Sequence, residues 1–214
     1  MKFKTQCIYT IGYAHHTQES FLNLLKRYHI QYIIDVRTMA YSKFHPQFNK
    51  EPLKYFLKCN DIGYKQMDEA FGIVRPHSDL LNREGYLDFK KIAKLPEFSR
   101  GISQIIRGIE QGYCIAFMCA EKAPSDCHRS TLVARALMEK GYRVWHILWD
   151  GTLQSQEQLE EEIINRYFPC REQINLFHVD EPHYYIDRAY ELRSNDIVAV
   201  NSKRVLKDKY QRPK

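Results

Sequence analysis

No run of eighteen or more apolar residues occurs in this 214-residue chain, which excludes a transmembrane helix. A mean hydropathy of −0.54 agrees. Behind the basic start at Lys2 and Lys4 stands only a strand-length apolar stretch, too short for the roughly 7–15-residue core of a secretory signal. A cytoplasmic protein with no membrane partner is therefore expected. Glycine (9) and proline (8) are sparse, which excludes collagenous and disordered classes, and 44% hydrophobic with 27% charged residues is globular composition. There is no internal repeat and no low-complexity tract. The six cysteines are scattered, so they suit neither a disulfide framework nor the closely paired C-x2-4-C ligands of structural zinc sites. The net charge of +6 is spread along the chain rather than blocked, so it permits polyanionic partners without requiring one.

Periodicity supplies the elements. Cys7 to Ile11 reads as a strand, Thr17 opens a helix with Phe21, Leu24, Leu25 and Tyr28 at helical spacing, and Tyr32 to Val36 reads as a second strand. That alternation is a βαβ unit. Ala40 to Asn49 reads as a loop above the carboxyl end of the second strand, a place where loops carry function. A helix around Leu53, Phe56 and Leu57, a short strand at Ile62 to Tyr64, an irregular stretch from Met67 to Tyr86 and a helix from Pro96 to Gln111 follow. Tyr113 to Cys119 reads as a buried strand, Cys127 to Lys140 as a helix stopped by Gly141, and Val144 to Leu148 as the next parallel strand. A covering helix carries Leu159, Ile163 and Ile164. The expected fold is a three-layer, Rossmann-like α/β domain with a mostly parallel sheet over residues 1–168. Residues 169–214 read as an irregular C-terminal extension ending in a basic tail from Lys203.

The junction between the strand ending at Cys119 and the helix opening at Cys127 concentrates the chemistry. Two thiols, His128, Arg129 and Ser130 meet where backbone N–H groups and a helix dipole favour negative charge, and those groups lower a thiol's pKa. Cys119, Cys127 and His128 are the candidate catalytic residues, with Arg129 and Ser130 as anion-binding partners. Cys119 also fits a small buried hydrophobe, and Asp126 fits an N-cap. Asp35 and Arg37 lie two apart on a strand, so they share a face; they fit substrate contacts or a structural ion pair equally. Cys119, Cys127 and His128 with His15 or His45 would make a zinc set, but adjacent Cys127 and His128 do not easily face one ion from a helix start. No metal and no cofactor are expected.

Met118-Cys119-Ala120-Glu121-Lys122 with Cys127-His128-Arg129, together with Thr10-Ile11-Gly12, Asp35-Val36-Arg37 and Pro46-Gln47-Phe48-Asn49, resembles the bacterial and archaeal family catalogued as domain of unknown function 488. The resemblance runs from about residue 8 to 164 and includes Asp68-Glu69, Gly72, Arg75-Pro76 and His146-Ile147-Leu148 with Asp150-Gly151. Two stretches depart from the family pattern: its usual Gly-His-Ser is here Gly12-Tyr13-Ala14-His15, and its Gly-Gly-Arg-Pro-like stretch is here Gly72-Ile73-Val74-Arg75. The resemblance implies Asn49, Glu69, Arg75 and Glu121 as further polar pocket contacts, and it implies no activity. The order of strand-end cysteine, loop and Arg-led helix is also similar to rhodaneses and cysteine phosphatases, although ten positions separate Cys119 from Arg129 where rhodaneses have five. The functional expectation is a thiolate enzyme acting on a small anionic or nucleotide-like substrate. The rival is a nucleotide- or nucleic-acid-binding module, for which the charge, 15 tyrosines and the basic tail speak.

Overall fold

The computed structural model describes residues 8–73, 78–170 and 184–210 of the protein. Cys7, Arg75, Pro76 and the end of the basic tail lie outside the described residues. Strand β1 (Ile8–Gly12) leads to helix α1 (Gln18–Arg27), whose cap is Thr17: its hydroxyl accepts the Ser20 N–H at 3.1 Å. After β2 (Tyr32–Asp35) the chain crosses a loop with a single 3-10 turn at Pro46–Phe48, and forms α2 (Lys50–Lys58) and β3 (Gly63–Gln66). The stretch expected to be irregular contains the short helix α3 (Asp68–Phe71), and Asp88 caps an unexpected helix α4 (Phe89–Ala93). Helix α5 (Pro96–Glu110) buries Phe98, Ile102, Ile105 and Ile109 along one stripe, as the apolar spacing demands. It is followed by β4 (Ile115–Cys119).

The expected helix from Cys127 begins two residues later and is not α-helical at first. Arg129–Ala134 is π-helical and runs into α6 (Arg135–Met138). The backbone N–H groups and hydroxyls of Ser130 and Thr131 all converge on the Cys127 carbonyl, so side chains compete for the acceptor that would set an α-helical register. Strand β5 (Trp145–Ile147) and β6 (Leu153–Ser155) form an antiparallel pair, and α7 (Gln156–Tyr167) starts on a Ser155–Gln158 capping box.

The strands make one six-stranded sheet in the order β3-β2-β4-β1-β5-β6, parallel throughout except for β6. The four strands expected to share a sheet do so. Side chains alternate between two cores along β4: Ile115, Phe117 and Cys119 enter the core with α3 to α6, whereas Cys114, Ala116 and Met118 enter the core with α1 and α2. Because paired residues of parallel strands share a face, the same register assigns Thr10 and Gly12 to the Cys119 face and Ile11 and Asp35 to the Met118 face.

Beyond residue 183 the expectation of irregular chain does not hold: α8 (Tyr184–Tyr210) is a 27-residue helix. Its inward stripe is half polar, with Arg193, Ser194 and Asn195 buried beside Ala189, Tyr190 and Ile197, so no apolar period stands out in the sequence. Leu159 and Ile163 of α7 pack on Ala189 and Tyr190. Among the described residues no helix is long and apolar enough to cross a membrane.

Candidate functional site

At the carboxyl end of β1 the chain needs Gly12 because another segment lies on its face. A Cβ there would stand 1.8 Å from the Glu121 carbonyl oxygen. That carbonyl accepts Arg129 Nη1 at 2.8 Å, while Arg129 Nη2 donates to the Lys122 carbonyl at 3.3 Å and Nε to Thr10 Oγ1 at 3.3 Å. The loop after Cys119 is thereby folded back over the sheet end and fastened to the first residue of the π-helical segment. Arg129 is fully buried. It was expected to hold an external anion; its three donating nitrogens hold backbone carbonyls and a hydroxyl instead.

Under this loop three side chains converge. The ligand-type atoms of Cys119, Cys127 and His128 all lie within 4.8 Å of one another, and all three residues are buried. Cys127 Sγ stands 3.8 Å from His128 Nδ1 and accepts the Arg129 backbone N–H at 3.4 Å, so the sulfur itself occupies the anion position at the helix start. His128 Nε2 faces the Val36 carbonyl at 3.0 Å, which makes Nε2 a donor and turns Nδ1 toward the sulfurs. The expectation that adjacent Cys127 and His128 diverge fails on backbone geometry. Cys127 is extended (φ −137°, ψ 141°) and His128 helical (φ −64°, ψ −17°), so the chain bends between them and swings both side chains to one side. His15 is exposed and His45 packs edge-on to the Tyr13 ring; neither belongs to the cluster.

The two thiols are driven apart in acidity. Burial alone raises Cys127, but the hydrogen bond from Cys119 and the charges of Arg129 and His128 outweigh it and hold its thiol well below the ordinary value. Cys119 is pushed up, first by its hydrogen bond to Cys127 and then by burial and the neighbouring Cys127 and Glu121 charges. Burial and the Cys127 charge raise the Glu121 carboxyl. Burial lowers His128, yet the Cys127 thiolate and Glu121 outweigh that and raise it. These shifts favour the thiolate on Cys127 rather than on Cys119 and favour the protonated form of the imidazole beside them.

A model of the family described as domain of unknown function DUF488 matches residues 17–136, which takes in every residue of this cluster. The chain belongs to this family. No curated protein and no solved structure matches it.

Other residues expected to line the pocket of this DUF488 chain are placed elsewhere. Asp35 and Arg37 form a buried ion pair on the α1–α2 face, opposite the face of Cys119, with Nη2 to Oδ2 at 2.5 Å and Nε to Oδ1 at 2.9 Å. Arg37 also donates to the Phe48 carbonyl and the Tyr13 hydroxyl, and Tyr64 donates its hydroxyl to Asp35 at 2.7 Å. Tyr13 stacks on Phe48 at 4.6 Å. The pair ties the 40–49 loop to the sheet through the Phe48 carbonyl. Asn49 accepts the Ser42 N–H within that loop, and Glu69 is exposed on α3. Ser130 donates to the Pro124 and Cys127 carbonyls rather than facing a pocket. Asp126 is not a cap; it pairs with Arg193 of α8, whose Nε also holds the Ser125 carbonyl at 2.7 Å.

Two further side chains support the site. His146 is fully buried, its Nδ1 at 2.8 Å from Thr10 Oγ1, and burial together with Arg129 lowers its pKa to about 3. Gln156 Nε2 donates to the Ser130 carbonyl and to the Tyr190 hydroxyl, joining α7 and α8 to the π-helical segment. His146 lay within the family-like stretch His146-Ile147-Leu148, but Gln156 and Arg193 stood in segments read only as covering or irregular.

Proposed function

We propose that the protein is a cysteine-dependent enzyme in which Cys127 is the nucleophile and His128 the proton donor. The observation that carries this reading is the seat of Cys127 Sγ: a backbone N–H of the helix start, the imidazole of His128 and the thiol of Cys119 surround one sulfur. In the reaction that follows, Cys127 Sγ bonds to an electrophilic atom of the substrate as the bond to the leaving group breaks. His128 Nδ1 gives its proton to that leaving group. Substrate class is read from the outer side of the loop, where Lys122 lies 4.1 Å over the ring of Trp149, both exposed. A cation beside an open indole face suits a small anionic or nucleotide-like molecule.

The test is competitive labelling of chelator-treated protein with a limiting amount of iodoacetamide, mapped by mass spectrometry. Cys127 is expected to label ahead of the exposed Cys59 and Cys170, and a His128→Ala variant to lose that preference. Labelling of Cys59 and Cys170 first, with Cys127 modified only on unfolding, would refute the reading.

A second reading has its own observation. Tyr41, Phe44 and Tyr55 are 61%, 88% and 72% exposed, among the exposed lysines Lys43, Lys50 and Lys54. Exposed aromatics among cations suit stacking of single-stranded nucleic acid. That binding would weaken steeply with salt and fall in a Tyr41→Ala/Phe44→Ala variant; retention of both affinity and salt independence would dispose of it.

A further inference from the structure

We infer that Cys119, Cys127 and His128 form a binding site for a thiophilic divalent cation of the zinc class. The inference uses the side chains of the proposed nucleophile but stands on their geometry, and it holds whether or not Cys127 is catalytic.

Three observations converge. The first is spacing. An ion about 2.3 Å from a thiolate and about 2.0–2.1 Å from an imidazole nitrogen, at a tetrahedral angle, sets the two donors about 3.6 Å apart and two sulfurs about 3.8 Å apart. Cys127 Sγ and His128 Nδ1 are 3.8 Å apart, and no pair in the cluster exceeds 4.8 Å. Small rotations of the side chains close the set on one ion.

The second is the orientation of the imidazole. Metal-bound histidines hand their other ring nitrogen to a carbonyl or carboxylate, which fixes the tautomer and aims the lone pair. His128 does this through Nε2 and the Val36 carbonyl at 3.0 Å, and the nitrogen that remains is the one turned to the sulfurs.

The third is the donor chemistry together with burial. Two sulfurs and an imidazole select zinc-class ions over magnesium or calcium, which take oxygen ligands. All three residues are at most 4% exposed, so few waters compete for the ion. Glu121, on the loop that Arg129 fastens, is near enough for its charge to be felt by Cys119 and Cys127. Three protein ligands among the described residues, with the fourth position left to water or substrate, describe an open site rather than a closed structural centre of four cysteines or of paired cysteines and histidines. The sequence hides it because the sulfurs are eight residues apart and Cys127 and His128 are adjacent, a spacing outside the usual paired-ligand patterns.

Occupancy has a chemical consequence. The ion takes the Cys127 sulfur as a ligand, so the loaded protein presents no free thiolate there, and removal of the ion restores one.

The experiment is titration of chelator-stripped, full-length protein with Co2+ as spectroscopic probe, followed by Zn2+ against a chromophoric chelator. The expected result is saturation at one equivalent, with a sulfur-to-cobalt charge-transfer band and tetrahedral visible bands that Zn2+ displaces. A Cys59→Ser/Cys170→Ser variant should keep the band. Cys119→Ser, Cys127→Ser and His128→Ala should each lose affinity by more than the roughly 10–100-fold that removal of an outer-shell partner gives. Absence of a charge-transfer band in the wild-type protein would overturn the inference even if the ligand variants fail to fold. So would a band that disappears with Cys59 and Cys170. The iodoacetamide experiment on metal-free protein is read separately, so the nucleophile and the metal site can fail independently.

Discussion

Replacing Asp35 by alanine tests whether the Asp35–Arg37 pair is architecture or substrate-binding machinery. The carboxylate accepts from four donors, the Arg37 backbone N–H at 3.0 Å, Arg37 Nε at 2.9 Å, Arg37 Nη2 at 2.5 Å and the Tyr64 hydroxyl at 2.7 Å. Asp35 is 0% and Arg37 5% exposed, so Asp35→Ala leaves a guanidinium in a dry site with only the Phe48 carbonyl and the Tyr13 hydroxyl. Removing one partner of a buried pair costs about 3–5 kcal/mol, because the other charge stays uncompensated. Urea unfolding followed by near-ultraviolet circular dichroism should show that loss as a lower midpoint at unchanged slope. The double replacement Asp35→Leu/Arg37→Met should cost less than either single change, since it removes both charges together. A single-variant loss below about 1 kcal/mol, the level of a solvated pair, would refute the reasoning and return the two residues to the role of substrate contacts.

Gly12→Ala drives a methyl group into the Glu121 carbonyl, so it should cost at least the roughly 1–3 kcal/mol of an overpacked core and abolish the preferential labelling of Cys127; thermal unfolding and labelling check both. His146 has a folded pKa of about 3, below the unfolded value of about 6.5, so unfolded chains take up a proton that the folded protein refuses. Its contribution is complete above about pH 6.5 and fades as pH falls toward about 3, by up to roughly 5 kcal/mol; a His146→Gln variant should flatten the stability profile across that window. Arg193→Ala removes the hydrogen bond to the Ser125 carbonyl and the pairing with Asp126, and should cost about 1.5–3 kcal/mol by urea unfolding.

The sheet was legible because parallel strands buried on both faces leave continuous apolar runs, and the runs at β1, β2, β4 and β5 all lie in one sheet. Strand β6 was not, since three residues with exposed Leu153 carry no such run; its pairing comes from the turn before it, where the Leu148 N–H bonds the Thr152 carbonyl. Helix α8 escaped because its packing is carried partly by Arg193, Ser194 and Asn195, and an apolar-period reading is blind to buried polar stripes.

The site shows a sharper boundary between what sequence can and cannot say. Residue types predict chemistry, so Cys119, Cys127 and His128 were recognisable as candidates. Which of them meet is decided by two backbone facts that no periodicity contains. One is the extended-to-helical bend at Cys127–His128, which converts adjacent residues into neighbours on one centre. The other is strand parity: Asp35 pairs with Met118 and Cys119 with Gly12, so Asp35 and Cys119, both at strand ends, project to opposite faces. Parity therefore divides the family-like motifs into two working groups. Asp35-Val36-Arg37 and Pro46-Gln47-Phe48-Asn49 build the scaffold on one face, whereas Thr10, Gly12, Cys119, Glu121 and Cys127-His128-Arg129 build the sulfur centre on the other. Val36 is the hinge between them: it lies between the ion-paired residues in sequence, and its carbonyl crosses to hold His128. A change at Asp35 or Arg37 that shifts Val36 should therefore disturb the sulfur centre without touching it. In Asp35→Ala the preferential labelling of Cys127 should fall under conditions where the protein is still folded.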